Sequence, residues 1–367
     1  MGRCGRFSLR WFRVTLVAVA VFACLLPGAS ARACTAFLQQ GLIAGKNYDW
    51  HLDDGLLFVN KRGIAKRALL LDPTEKAAEW TSKYGSVTFN QYGREMPCGG
   101  MNEAGLVVET LMLTATRVPA PDERPAVIAW MQYQLDTSAT VGEVIASDRV
   151  VRLSPAMPMP VHFFVCDRQG EAAVLEFLDG KLVCHTGDRL AHPLITNSTY
   201  EESLAHLARH DGFGGTRPIR KGSHHSLDRF VVAADRLKTW RGDLPEQSPI
   251  AYAFETLAAV AQGQSTKWSI VYDLNGLEIH YRTQRCPATR NVRLEDLDFA
   301  PQTPVRMIAI NTSATGVLNR HFVDYDADVN KWLIHYCAQR TELLAQVPAA
   351  LLDLLARYPE TTSIVEP

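Results

Sequence analysis

Cys34 is the residue from which the chemistry of this chain can be read. It follows Ala31-Arg32-Ala33, the small-x-small pattern of a leader cleavage site. Upstream lie Arg3, Arg6, Arg10 and Arg13, then an apolar run over residues 15–26, then Pro27-Gly28. Charge, short apolar run and cleavage pattern in that order read as a secretory leader over residues 1–33. The run is too short to span a bilayer comfortably. No Arg-Arg pair occurs there, which favours a general secretory route over a twin-arginine one. Cleavage after Ala33 places Cys34 at the new N-terminus, in the periplasm or outside the cell. A lipid-modified cysteine is the rival use of such a position, but Arg32 stands where lipoprotein leaders carry small residues.

A thiol attacks as thiolate, and an ordinary cysteine titrates near ~8.5. An α-amino group titrates near ~7.7–8.0. One residue carrying both holds nucleophile and base together, as in the Thr–N-terminal-amine systems. The neighbouring elements must then bring charge and hydrogen bonds to it. Cys34-Ala36-Leu38 and Leu42-Ala44 read as two short strands that turn at Gln39-Gln40-Gly41. The returning strand ends in Lys46-Asn47-Tyr48-Asp49, beside the new terminus. Period-2 alternation places Lys46 and Asp49 on opposite faces. Both reach Cys34 only if the strand ends or bulges between them.

Further segments extend this pattern. They are Gly45-Lys46-Asn47-Tyr48-Asp49 after Cys34-Thr35, Gly100-Met101-Asn102-Glu103-Ala104-Gly105-Leu106, Leu194-Ile195-Thr196-Asn197-Ser198, and Ser226-Leu227-Asp228-Arg229-Phe230 with Trp268-Ser269-Ile270-Val271-Tyr272-Asp273 further on. Together, and in this order over about residues 34–283, they resemble the choloylglycine hydrolase and penicillin V acylase family of N-terminal-nucleophile hydrolases. The resemblance implies a four-layer αββα sandwich of the α+β class and hydrolysis of a linear amide carbon–nitrogen bond. It implies that Cys34 attacks the amide carbonyl, that Asp49 holds amine and thiol in place, that Asn197 helps bind the oxyanion, and that Arg229 buttresses the network.

Two positions depart from the family pattern. Lys46 stands where an arginine is usual, so charge is kept without the planar fork of donors. Met112 stands where relatives active on bile salts often carry an asparagine, and a thioether donates no hydrogen bond. The second oxyanion donor is then expected from backbone near Met112 or from another side chain. Met112 and Trp50 are the candidate substrate-side residues. The expected substrates are amides with an apolar acyl part, such as phenoxyacetyl, fatty-acyl or acyl-homoserine-lactone amides. An exported binding protein without turnover, or an acyltransferase, would use the same residues. Taken alone, Asn197 also reads as a cap for a following helix, and Arg229 as the partner of a nearby acid.

The rest of the chain must supply the scaffold. With 38 Lys+Arg against 39 Asp+Glu, the net charge of −1 does not suit a nucleic-acid binder. Loss of residues 1–33 removes five arginines and no acid, leaving 334 residues of charge −6. Strands are expected over 56–60, 68–71, 86–90 and 106–113, with a meander over 161–186. Helices are expected over 127–136, 140–147, after Arg229, over 251–261, and in a tail over about 324–367 interrupted by Pro348. Asp179-Gly180 and Asn275-Gly276 mark hairpins. No linker or repeat divides residues 34–367, which read as a single domain. His210, His224 and His225 lie in a Gly/Arg-rich loop without metal-ligand spacing, so no metal and no cofactor are expected. Cys166 and Cys184 are a candidate strand-to-strand disulfide. The expected partner is a small-molecule amide, with no stable membrane span after processing. A homo-oligomer is left open.

Overall fold

The structure is a computed structural model that describes residues 34–40, 42–240 and 248–365. Strand β1 (Thr35–Gln39) pairs antiparallel with β2 (Ile43–Asp49), with Ala36 opposite Lys46 and Phe37 opposite Gly45. This hairpin is inserted in a seven-stranded sheet, between the short strand Leu194–Ile195 on the β1 side and the strand Thr266–Asp273 on the β2 side. A second, nine-stranded sheet runs outward from Leu56–Asn60, Ser86–Asn90, Gly99–Asn102 and Val107–Met112 to the meander of Val161–Cys166, Ala172–Leu178 and Lys181–Thr186.

Strand alternation sorts these residues into layers. In the second sheet Leu57, Val59, Val107 and Phe164 join the core that also holds Ala36, Leu38 and Tyr48 of the hairpin. Their strand neighbours Val108 and Phe163 face the opposite way, into a core with Trp130, Met131 and Leu135 of helix α1 (Trp130–Thr137) and Val141 and Val144 of α2 (Val141–Ser147). Helices α3 (Tyr200–Leu207), α4 (Ser226–Thr239) and α5 (Pro249–Ala259) cover the outer face of the first sheet, α5 directly over β2. Helix, sheet, sheet, helix is the four-layer αββα sandwich. Helices α6 (Ala327–Arg340) and α7 (Ala349–Arg357) follow. Leu333 and Cys337 of α6 pack on Leu56, Phe58 and Met307 of the second sheet.

Three local expectations are corrected. The strand expected over 68–71 is Ile64–Arg67 instead, because its partners are Glu79–Thr81 and the distant Ser363–Ile364. The helix expected from 127 begins at Trp130, because Ala126–Val127 is taken into a parallel pair with Arg152–Leu153. All six described cysteines are free. Cys166 lies opposite Ala172, whereas Cys184 lies opposite Leu175 on the next strand over. Two strand spacings of about 4.8 Å separate them, beyond the roughly 7 Å that a disulfide bridges. The expected leader, residues 1–33, lies outside the described residues.

Gly45 illustrates how tightly the hairpin is packed. A β-carbon there would collide with the ring of buried Phe37, its cross-strand partner. Gly45→Ala should therefore lose about 1–3 kcal/mol through overpacking, read as a lower urea midpoint. Adding Phe37→Leu should restore part of it. A wild-type midpoint for Gly45→Ala would show that the ring yields freely.

Candidate active site

Cys34 immediately precedes β1 and is buried. Its Sγ lies 4.0 Å from the backbone carbonyl of Asp49, at the end of β2. The Cys34 carbonyl accepts from Arg229 Nη1 at 2.7 Å. The same nitrogen donates to Thr35 Oγ1 at 2.6 Å, and Nη2 donates to Asn197 Oδ1 at 3.0 Å. Arg229 Nε donates to the His224 carbonyl at 3.3 Å. Arg229 is one turn into α4, so the helix aims the guanidinium at the start of β1. Burial pulls the Arg229 pKa down, and the fields of Asp49 and Cys34 oppose that pull. Among the described residues it forms no ion pair with an acid, so the expectation of a simple acid partner is replaced by a set of neutral acceptors.

Asn197 is held at both ends of its amide. Oδ1 accepts from Arg229, and Nδ2 donates to the Met112 carbonyl at 2.7 Å. A guanidinium only donates and a carbonyl only accepts, so the amide orientation follows from its partners. Its backbone N–H donates to Ser226 Oγ at 2.8 Å. Helix α3 is capped by Thr199 in a capping box with Glu202. Asn197 stands two residues upstream and is free of that duty. The Met112 carbonyl is the acceptor that positions Asn197.

Asp49 and Lys46 meet Cys34 from different sides. At the Tyr48–Asp49 step the register of the neighbouring strand slips, with Thr266 opposite Asp49 but Trp268 opposite Tyr48. This bulge lies where β2 ends. The Asp49 carboxylate accepts from Thr266 Oγ1 and, at 2.9 Å, from Gln262 Nε2. Burial pushes its pKa up, against the pull of Thr266, Arg229 and Gln262. Lys46 faces the space between the sheets. It forms a fully buried ion pair with Glu109 at 3.1 Å and donates to the Thr110 carbonyl. Burial lowers the Lys46 pKa, but Glu109 and Cys34 outweigh it and the net shift is upward. Burial also raises the Glu109 carboxyl, against Lys46 and Tyr272. The hydrogen bonds favour the ammonium, since Thr110 O can only accept and Glu109 already accepts from Tyr272 Oη. Burial raises the Cys34 thiol too, with Lys46 the strongest opposing influence.

Cys34, Met112 and Trp50 also line a single apolar cavity of about 260 Å³. Trp50 Nε1 donates to Tyr92 Oη at 2.9 Å, which fixes the indole at its edge. The proposed residues therefore fall into two groups. Cys34, Asn197 and Arg229 share one hydrogen-bond network, and Asp49 approaches it through its carbonyl and its field. Lys46 acts on the thiol from the other side of the sheet, and Met112 and Trp50 face the cavity.

Several contributors were missed from sequence. Glu109, Gln262 and Thr266 carry no motif, and Ser226 stands in the Arg229 segment without a role of its own, because each matters only through a partner remote in the chain. A buried cluster behind Asn197 was missed as well. His162 Nε2 lies 2.8 Å from the Thr196 carbonyl, and its Nδ1 lies 3.2 Å from Glu176. Glu176 also meets His185 at 3.3 Å and accepts from Tyr200 N at 3.0 Å. Burial alone would raise the Glu176 carboxyl, but the bonds from His162 and His185 outweigh it and hold it at about 2. Its folded pKa lies below the ordinary ~4.3, so the stability it contributes is present above that value and is lost as pH falls toward 2. The urea midpoint should fall across pH 4.5 to 2, and less steeply in Glu176→Gln. Equal slopes in both proteins would show that another carboxylate governs that window.

The chain is similar to known amide hydrolases. Residues 34–237 match the linear amide C–N hydrolases of the choloylglycine hydrolase family. A penicillin V acylase of Pectobacterium atrosepticum is 27% identical over 336 residues, covering 78% of this chain and 88% of its own. The solved penicillin V acylase of Agrobacterium tumefaciens superimposes with a TM-score of 0.68 at 27% identity, covering 80% of this chain and 98% of its own. A mutant of the conjugated bile acid hydrolase of Clostridium perfringens shares the fold, with a TM-score of 0.60 at 15% identity over 77% of this chain and 98% of its own. The chain belongs to the choloylglycine hydrolase family and is a hydrolase of carbon–nitrogen bonds other than peptide bonds, in linear amides.

Proposed function

We propose that this hydrolase is exported, that its leader is cleaved after Ala33, and that Cys34 is then its N-terminal nucleophile. The observation that carries the reading is the position of Cys34. Its carbonyl is held by the same guanidinium that orients Asn197, while its side chain borders the apolar cavity. The family match also opens at Cys34.

In the proposed reaction the Cys34 thiol attacks the amide carbonyl and its proton passes to the Cys34 α-amine. The carbonyl oxygen becomes an oxyanion. Asn197 Nδ2 has one N–H on Met112 O and donates its second to that oxyanion. The carbon–nitrogen bond then breaks, and the α-ammonium returns its proton to the leaving amine. A thioester on Cys34 remains. Water attacks it, the α-amine takes the water's proton, and the acid departs with the thiol restored. Asp49 holds the α-ammonium in place, Arg229 fixes the backbone at Cys34, and the Lys46 ammonium favours the thiolate through its field. Met112 and Trp50 receive an apolar acyl group.

Intact mass of the active protein should begin at Cys34, and a precursor blocked at Ala33 should be inactive, because its Cys34 nitrogen is an amide without a basic lone pair. Cys34→Ala should lower turnover of apolar acyl amides on the order of 10⁴-fold or more. Equal turnover by the variant would remove the mechanism. Asn197→Ala should lower kcat by about 10²–10³-fold with a smaller change in KM. A change confined to KM would make Asn197 a ground-state contact.

A further inference from the structure

We infer that the C-terminal segment over residues 334–355 closes the acyl end of the cavity and sets the length of acyl chain the enzyme accepts. The inference rests on the reading of Cys34 as the reacting end of that cavity. The family match ends at residue 237, so this wall is contributed by sequence outside it.

Ile334 and Ala338 of α6, Leu344 and Val347 of the connecting turn, and Leu351 and Leu355 of α7 all border the cavity that Cys34 borders. Leu351 and Leu355 are one turn apart and point from the same face of α7. The helix is fixed behind them by Leu352 and Ala356, packed on Ile334 and Ala338. The segment is tied to the site as well. Tyr92 Oη, which accepts from Trp50, lies 2.9 Å from Thr341 Oγ1. Arg94 N donates to Asn330 Oδ1 at 2.8 Å. Ser363–Ile364 then adds a strand beside Ile64–Arg67. The wall is therefore anchored on both sides of α7.

The rest of the lining says what the wall receives. Among the described residues no charged side chain borders the cavity, and five of the chain's eight methionines do. An acyl group with a charge or several hydroxyls would be desolvated there without partners. Methionine side chains are flexible and polarizable, so they re-pack around a chain with many conformers more readily than around one rigid ring. The occupant that fits is an unbranched alkyl acyl chain running from Cys34 toward Leu351.

The test compares kcat/KM for a dodecanoyl and a hexanoyl amide of the same amine, in the processed full-length enzyme. Leu351→Trp should lower the dodecanoyl-to-hexanoyl ratio at least tenfold. Leu351→Ala should raise it, and Leu354→Trp, on the exposed face of α7, should leave it unchanged. An unchanged ratio in folded Leu351→Trp and Leu351→Ala would overturn the inference. If Leu351→Trp does not fold, Leu351→Ala decides alone. A separate readout is the affinity of dansylaminoundecanoic acid for Cys34→Ala protein. Leu351→Trp in that background should weaken it at least tenfold, and unchanged affinity would overturn the inference. Loss of Cys34-dependent turnover with intact probe binding would instead count against the catalytic reading alone.

Discussion

A buried guanidinium holds this site together. Arg229 presents its fork of donors to Cys34 O, Thr35 Oγ1, Asn197 Oδ1 and His224 O. Those acceptors come from three stretches of chain and meet only in the folded state. Arginine keeps its charge under burial where most ionisable groups would lose theirs. Its planar donors impose distances and directions together, which a point charge would not. The first residue of β1, the segment before α3 and the start of α4 are thereby placed in one frame.

Strand alternation then divides the surroundings of Cys34 into two media. On the helix side of the first sheet, Thr35, Asn47 and Asp49 meet Arg229, the Leu257 carbonyl, Gln262 and Thr266 in a saturated polar network. On the sheet side, Lys46 is the one cation of the hairpin, and Glu109 and the Thr110 carbonyl hold it between the sheets. Gly99 makes room for that pair, since a β-carbon there would collide with the Glu109 carboxylate. Removing one partner of such a pair leaves an uncompensated buried charge, typically a loss of about 3–5 kcal/mol. Lysine suffices here because its partners are one carboxylate oxygen and one carbonyl oxygen, each within reach of a compact ammonium.

The legible parts of the site were those carried by local pattern. The β1–β2 hairpin, the meander and α4 follow from alternation and helical spacing, and the order of motifs pointed to the sandwich. The apparent conflict between Lys46 and Asp49 was visible in the period-2 pattern. Its resolution was not, because the register slip sits on a strand more than 200 residues away. Asn197 read equally well as a helix cap. Only the capping box of Thr199 with Glu202 frees it for Arg229 and Met112. Residues 68–71 read as a strand by composition, but the ladder went to Ile64–Arg67 because the end of the chain pairs there.

By itself, the sequence determined the residue types on offer: a cysteine behind a cleavage-like pattern, and a set of donors and charges in family order. These are properties of residue type and short spacing. Tertiary structure decided what each group faces. It set the Met112 carbonyl against Asn197 and Glu109 against Lys46, and brought the C-terminal helices around to wall a cavity that Cys34 borders. Such relations depend on contacts between segments far apart in the chain, and no local pattern encodes a partner that only the packed core brings within reach.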